Sequence, residues 1–137
     1  MSSTGIPMRI FASQSKAPYL DAEEMFRVTD IGIKYYEQFF GTKFPFDKYD
    51  QIFVPEFRIG GMENVGAVSF NDVFLKPPEE TTDSLRFRLS YICLHELAHM
   101  WFGDLVTMKW WNDLWLKESF ADFSALMCLI DCKAALT

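Results

Sequence analysis

The only two histidines of the chain lie four residues apart, in the segment His95-Glu96-Leu97-Ala98-His99. On a helix, positions four apart share one face, with Cβ atoms about 6 Å apart. Two imidazoles at that spacing suit one zinc ion, whose bonds to histidine nitrogen are about 2.0–2.1 Å long. Glu96 is rotated by roughly 100° around the helix, so its carboxylate can reach a metal-bound water and act as a general base. The spacing therefore predicts a metal site with its own base; the alternative is an ordinary helix that carries these side chains without a metal.

Glu118 is the candidate for a third metal ligand. Eighteen residues separate it from His99, a gap that suits a second helix returning antiparallel to the first. It lies in an otherwise apolar stretch, where a carboxylate needs a cation or hydrogen-bond donors. The alternative is a solvated helix face on which Glu118 pairs with Lys117 or Lys109.

Hydrophobic periodicity predicts three helices. Gly41 and Gly103 stand where the first two should end. The predicted helices run from Asp21 to Phe40, from a cap at Thr81 or Thr82 to Phe102, and from Asn112 or Asp113 past Ile130.

Short extended segments precede and separate these helices. They are rich in β-branched and aromatic residues and are bounded by turn residues. Strands mixed with helices, followed by helices, predict an α+β domain with a small mixed sheet packed on a helical layer. The predicted extended segments are Met8–Ala12, Asp50–Val54, a pair at Val65–Phe70 and Val73–Lys76, and Leu105–Met108.

Composition limits the classes of protein that fit. The chain has 137 residues, of which 50% are hydrophobic and 23% charged, so it can bury the core of one domain. These values exclude a disordered tail, a collagen-like chain and a disulfide scaffold. The net charge of −6, with no cluster of Lys or Arg, argues against a nucleic-acid partner.

The cysteines and the apolar segments of the sequence indicate the cellular compartment and whether a membrane segment is present. The three cysteines, Cys93, Cys128 and Cys132, do not form a disulfide framework. Cys128 and Cys132 could hold a metal from one helix face, but ordinary buried thiols are the simpler expectation. No signal-peptide pattern and no apolar run of about 18 residues is present, so no membrane segment is predicted in this chain. A cytoplasmic location is favoured.

Two motifs resemble those of one known family. The segment His95–His99, followed after eighteen residues by Glu118, is similar to the gluzincin pattern of the aminopeptidase N family of zinc metallopeptidases. The similarity is dense over residues 95–121 and weaker from Phe11 to Ile130. The second motif resembles the family's exopeptidase motif Gly-Ala-Met-Glu-Asn and here consists of Gly60, Gly61, Met62, Glu63 and Asn64.

The resemblance implies a zinc-dependent aminopeptidase that hydrolyses the N-terminal peptide bond through a zinc-activated water. Its substrates would be peptides with a free N-terminus, and one Zn²⁺ would bind per chain. The implied zinc ligands are His95, His99 and Glu118, with Glu96 as the general base. Glu63 would bind the α-amine, and the segment from Gly60 to Asn64 would line the cleft.

The chain departs from the family pattern beside the third ligand. The family usually has Asn before that ligand and Gly after it, where this chain has Lys117 and Ser119. Asn can orient a ligand histidine as an acceptor, whereas Lys117 cannot accept and adds positive charge. Asp122 could take over as the acceptor; the alternative is a solvated or helix-pairing role. Gly61 replaces the usual Ala and is expected only to loosen the segment.

The resemblance also implies a fold and an extent. Residues 1–137 would form a single, partial thermolysin-like zincin catalytic domain, without the family's N-terminal β domain and C-terminal helical domain, and these domains of a parent enzyme would be its partners. The family's oxyanion-binding tyrosine follows the third ligand, whereas every tyrosine here precedes it. We therefore expect weak or no activity. The alternatives are a zinc-binding but catalytically silent peptide-binding module, and a metal-free helical module that binds partners.

Overall fold

Four short strands form one mixed sheet in the computed structural model, which describes residues 1–136. In the order β1-β2-β4-β3, the central strands run parallel to one another, and β3 pairs antiparallel with β4 at one edge. Phe53 of β2 lies opposite Phe70 of β4, and both rings are buried. The strands are β1 (Met8–Phe11), β2 (Tyr49–Val54), β3 (Gly61–Met62) and β4 (Ala67–Asn71).

The helices pack together beside this sheet, with α2 in contact with α1, α3 and β3. Three-residue 3₁₀ turns begin at Ala17, Asp72, Pro78 and Trp111. None of the helices described is long and apolar enough to cross a membrane. The α+β class predicted from the sequence is confirmed. The helices are α1 (Ala22–Phe39), α2 (Asp83–Ala98), α3 (Leu114–Asp131) and the short α4 (Lys133–Leu136).

Local capping explains where the first two helices begin. The Asp21 side chain accepts a hydrogen bond of 3.0 Å from the Glu24 amide at the start of α1. Thr82 does the same for the Leu85 amide at the start of α2, at 3.2 Å. These side chains satisfy amides that have no partner inside the helix. Gly41, with φ of 64°, follows α1 in the left-handed conformation that glycine adopts at helix ends.

The structure corrects three of the predicted elements. The segment from Val73 to Lys76 is not a strand, because Asn71 caps a 3₁₀ turn at Asp72–Phe74; the antiparallel partner of β4 is β3. Helix α2 ends at Ala98 and not at Phe102, because the amide of Asp104 turns back to the His99 carbonyl at 3.0 Å. The segment predicted to be extended after Gly103 forms a single bridge, between Phe102 and Val106.

Helices α1 and α2 approach each other closely at Gly32. A Cβ atom there would lie 2.6 Å from Leu94 Cδ2 and 2.7 Å from Leu97 Cδ2, well inside van der Waals contact. Both leucines are fully buried, so neither can move away easily. Gly32 therefore sets the distance between the two helices, and with it the position of the histidine-bearing end of α2.

We expect Gly32→Ala to lower the free energy of unfolding by about 1–3 kcal/mol, because an added methyl group overpacks a closed interface. Urea denaturation followed by circular dichroism measures the change. Gln38→Ala on the exposed face of the same helix is the control and should shift stability by no more than about 0.5 kcal/mol. An unchanged midpoint for Gly32→Ala would show that the leucines can give way.

Candidate functional site

The C-terminal end of α2, with the residue that follows it, and the second turn of α3 bring three donor side chains together. The Nε2 atoms of His95 and His99 are 3.1 Å apart. Glu118 Oε2 lies 3.4 Å from His95 Nε2 and 3.5 Å from His99 Nε2. The three donor atoms thus lie within 3.5 Å of one another.

The other nitrogen of each histidine faces an acceptor. His99 is fully buried, and its Nδ1 lies 3.0 Å from the Phe102 carbonyl oxygen. His95 Nδ1 lies 2.8 Å from Asp122 Oδ1, although the ring is not aligned for a hydrogen bond. Asp122 in turn accepts a hydrogen bond from the Tyr91 hydroxyl. Outer partners of this kind orient metal-binding histidines.

These donors fit a zinc ion. Two imidazole nitrogens and one carboxylate oxygen are a donor set that catalytic zinc sites use. Both Nε2 atoms turn toward each other and toward Glu118, while both Nδ1 atoms turn away. Glu63, Glu96 and His99 form a second grouping within 4.8 Å, but it holds only one imidazole. The His95, His99 and Glu118 grouping is the better match to zinc.

Glu96 is buried beside this grouping. Burial raises the pKa of its carboxyl group to about 8, and the carboxylates of Glu63 and Glu118 act in the same direction. Its Oε2 atom has no hydrogen-bond partner among residues 1–136. A carboxylate in this position is close to the metal-binding donors yet does not share their point of convergence, which is the placement expected of a base.

The glycine of β3 contacts this glutamate directly. A Cβ atom built on Gly61 would lie 2.2 Å from Glu96 Oε1 and 2.6 Å from its Cδ. The expectation that Gly61 only loosens the segment is therefore incomplete, because the missing side chain also makes room for Glu96. At Gly60 a Cβ would meet only Ile92 Cδ1, at an ordinary 3.4 Å.

Glu63 follows β3 and forms an ion pair with Lys117, whose ammonium also donates to Glu118 Oε1 at 2.6 Å. The side chains of Lys117 and Glu63 are only 13% and 11% exposed. Burial lowers the pKa of Lys117, but its hydrogen bonds to Glu118 and Glu63 outweigh this and raise it. Burial raises the pKa of Glu118, and Lys117 and His99 more than reverse that shift.

The remaining residues of the Gly60–Asn64 motif lie at the edge of the sheet. Met62 of β3 pairs with Ser69 of β4, and the side-chain amide of Asn64 donates a hydrogen bond to Ser69 Oγ at 3.2 Å. The carbonyl of Gly60 accepts from the Asn71 amide at 3.0 Å. The other edge of β3 is not paired within residues 1–136, so its backbone is available to an extended chain.

Two residues near the site were not predicted from the sequence. Tyr91 lies four residues before His95 on the same helix face, so its spacing could have suggested it. Asp104 is placed by the turn after α2; burial and the Glu63 carboxylate raise its pKa to about 6. Helix periodicity could not have found Asp104, because it lies outside the helix.

Fold and donor set together define an α+β domain with a candidate metal centre. The chain matches the Peptidase family M1 domain over residues 25–136. It is 50% identical over 123 residues to an "Aminopeptidase N" of Streptomyces lividans, which covers 90% of this chain. It is 39% identical over 130 residues, 92% of the chain, to a "Puromycin-sensitive aminopeptidase" of Caenorhabditis elegans. The chain therefore belongs to peptidase family M1, and the family predicted from the two motifs is confirmed.

The match covers a small part of each relative. The chain spans 14% of the length of the Streptomyces protein and 13% of the Caenorhabditis protein. A "Tricorn protease-interacting factor F2" of Thermoplasma acidophilum is 50% identical over 91 residues, 66% of this chain and 12% of that protein. The shared region contains the candidate site, since it lies within residues 25–136.

We expect Gly61→Ala to displace the Glu96 carboxylate by about 1 Å, since the new methyl group must reach ordinary contact distance. A crystal structure of the variant measures the shift. Gly60→Ala is the matched control, and its Glu96 should stay in place because that Cβ meets only Ile92. Identical Glu96 positions in both variants would refute the close contact.

Proposed function

We propose that this chain is the catalytic core of a zinc-dependent aminopeptidase, which removes N-terminal residues from peptides. One observation carries the proposal: His95 Nε2, His99 Nε2 and Glu118 Oε2 face one another at 3.1–3.5 Å. Membership of peptidase family M1 supports peptide-bond hydrolysis as the reaction. One zinc ion per chain would bind to these three side chains.

The bound metal supplies Lewis acidity, which polarises a carbonyl group or a water molecule. The Glu96 carboxylate accepts a proton from the attacking water and passes it to the departing amine nitrogen. Its burial against the backbone of Gly61 holds the carboxylate in one place and keeps bulk water away. Asp122, which accepts a hydrogen bond from Tyr91, lies 2.8 Å from His95 Nδ1 and would help to orient the His95 ring if Nε2 bound a metal ion.

Glu63 gives the preference for the first peptide bond. Its carboxylate, within 4.8 Å of donor atoms on Glu96 and His99, binds the ammonium of an N-terminus at a fixed distance from the base. Residues Gly60 to Asn64 present the unpaired edge of β3, along which an extended peptide forms backbone hydrogen bonds. A peptide held this way offers only its first bond to the site.

A second candidate function is a zinc-binding module that holds peptides without cleaving them. Tyr91 packs beside His95, and its hydroxyl donates a hydrogen bond to Asp122. A hydroxyl engaged in this way is not free to bind an oxyanion, a contribution of about 10²–10³ in rate, and this favours zinc binding without cleavage.

One zinc ion should bind per chain, and His95→Ala should lose most of it, because two protein ligands are too few for a stable site. Elemental analysis of the purified chain after dialysis against zinc-free buffer measures the content. Cys132→Ser is the control and should retain zinc if the thiols take no part. Equal zinc in His95→Ala and the unmodified chain would contradict the assignment.

In the same assay Asp122→Asn should keep the stoichiometry but weaken zinc affinity by about tenfold, the usual effect of losing an outer partner of a ligand histidine. A competition titration with a chelating dye measures this affinity. An unchanged affinity would mean that Asp122 only pairs with Tyr91.

Glu96→Gln should retain zinc and lose about 10²–10⁴-fold in turnover, because the proton acceptor is gone while both imidazoles remain. Hydrolysis of an aminoacyl arylamide by the zinc-loaded chain measures turnover, with the N-acetylated arylamide as the control substrate. Weak cleavage that Glu96→Gln abolishes supports the aminopeptidase. Zinc binding without any cleavage supports the silent module instead.

A further inference from the structure

The ammonium of Lys117 bridges two carboxylates to which the proposed function gives different roles. It contacts Glu63, the proposed binding group for the peptide's amine, and it donates to Glu118, a proposed zinc ligand. The lysine stands where the family pattern usually has Asn, so this cation is a feature of the present chain. Its partners lie on separate elements, since Glu63 follows β3 and Glu118 belongs to α3.

We propose that Lys117 competes with the peptide's N-terminal ammonium for Glu63, and so determines how tightly and how selectively this cleft binds free amines. The proposal rests on the proposed function, in which Glu63 binds that amine. In the structure the Lys117 ammonium is already paired with the Glu63 carboxylate. Binding of an amine thus requires an exchange of one cation for another.

The geometry allows this exchange without unfolding. Lys117 has a second acceptor in Glu118 Oε1, at 2.6 Å, so it stays paired when it leaves Glu63. Glu118 meets the histidines through its other oxygen, Oε2, which the exchange does not disturb. A lysine stem has four rotatable bonds, enough to move the ammonium while α3 stays fixed.

Charge and burial show why the competition is strong. The Glu63 and Lys117 side chains are almost entirely shielded from water, and an ion pair is stronger in such surroundings. The buried Glu96 and the half-buried Asp104 are further acidic groups on which the charge of Lys117 acts. A ligand whose amine is acylated brings no cation, cannot displace Lys117 and gains nothing from Glu63.

Equilibrium binding of a non-hydrolysable amine tests the proposal. The probes are L-leucinol, which carries a free amine, and N-acetyl-L-leucinol, which does not. Dissociation constants are measured by NMR titration of the zinc-loaded chain, with zinc content checked for each variant. Lys117→Met should bind L-leucinol about tenfold or more tightly, since a charge-assisted competitor is removed. N-acetyl-L-leucinol should bind both forms equally.

Three further variants complete the test. Lys117→Gln, which keeps a polar donor without the charge, should show the same gain and replaces Lys117→Met if that variant unfolds. Lys109→Met, which removes an exposed lysine elsewhere, should change nothing. In the Glu63→Gln background the gain from Lys117→Met should vanish, because the contested carboxylate is no longer charged.

The outcomes separate this proposal from the proposed function. If Lys117→Met and Lys117→Gln leave L-leucinol affinity unchanged while Glu63→Gln weakens it in the Lys117→Met background, competition is refuted and the role of Glu63 stands. If Glu63→Gln has no effect on L-leucinol in either background, Glu63 does not bind the amine. In that case both the competition and the amine-binding part of the proposed function fall.

Discussion

The site depends on how the chain offsets the free-energy cost of burying several carboxylates away from water. Glu63 and Glu96 are largely shielded from water and Asp104 is half-buried, so each would carry a desolvation cost as an isolated anion. Lys117 offsets part of that cost by pairing with Glu63, while burial raises the pKa of Glu96. The two histidines add imidazole nitrogens that face Glu118. A cleft built this way holds an excess of negative charge ready for cations, whether a metal ion or an amine.

Sequence reasoning predicted the parts of the candidate site whose proximity depends on helix geometry. The spacing of His95 and His99, and the return of a second helix to Glu118, depend on local periodicity that the chain alone encodes. The cap of α2 at Thr82 was among the predicted helix starts for the same reason. The two-residue strand β3 was not, because its pairing with β4 is a tertiary event between short segments. Likewise, nothing in the local pattern shows that Lys117 reaches Glu63 across the cleft.

The C-terminal end of α2 could not be predicted from the sequence either. Apolar residues continue at helical spacing to Phe102, yet the helix ends at Ala98 because the following amides turn back on its last carbonyls. That reversal brings the Phe102 carbonyl to His99 Nδ1 and Asp104 to the edge of the site. Tyr91 was within reach of a spacing argument, but its link to His95 passes through Asp122 on another helix.

The directions of α2 and α3 carry an electrostatic consequence of their own. Peptide dipoles sum to roughly half a negative charge at a helix C-terminus and half a positive charge at an N-terminus. His95 lies in the last turn of α2, His99 is the residue that follows the helix, and α3 begins one turn before Glu118. The backbone itself therefore places a negative pole beside the two histidines and a positive pole near the Glu118 carboxylate. This polarity survives any substitution of side chains, so a variant that keeps both helices keeps part of the attraction for a cation.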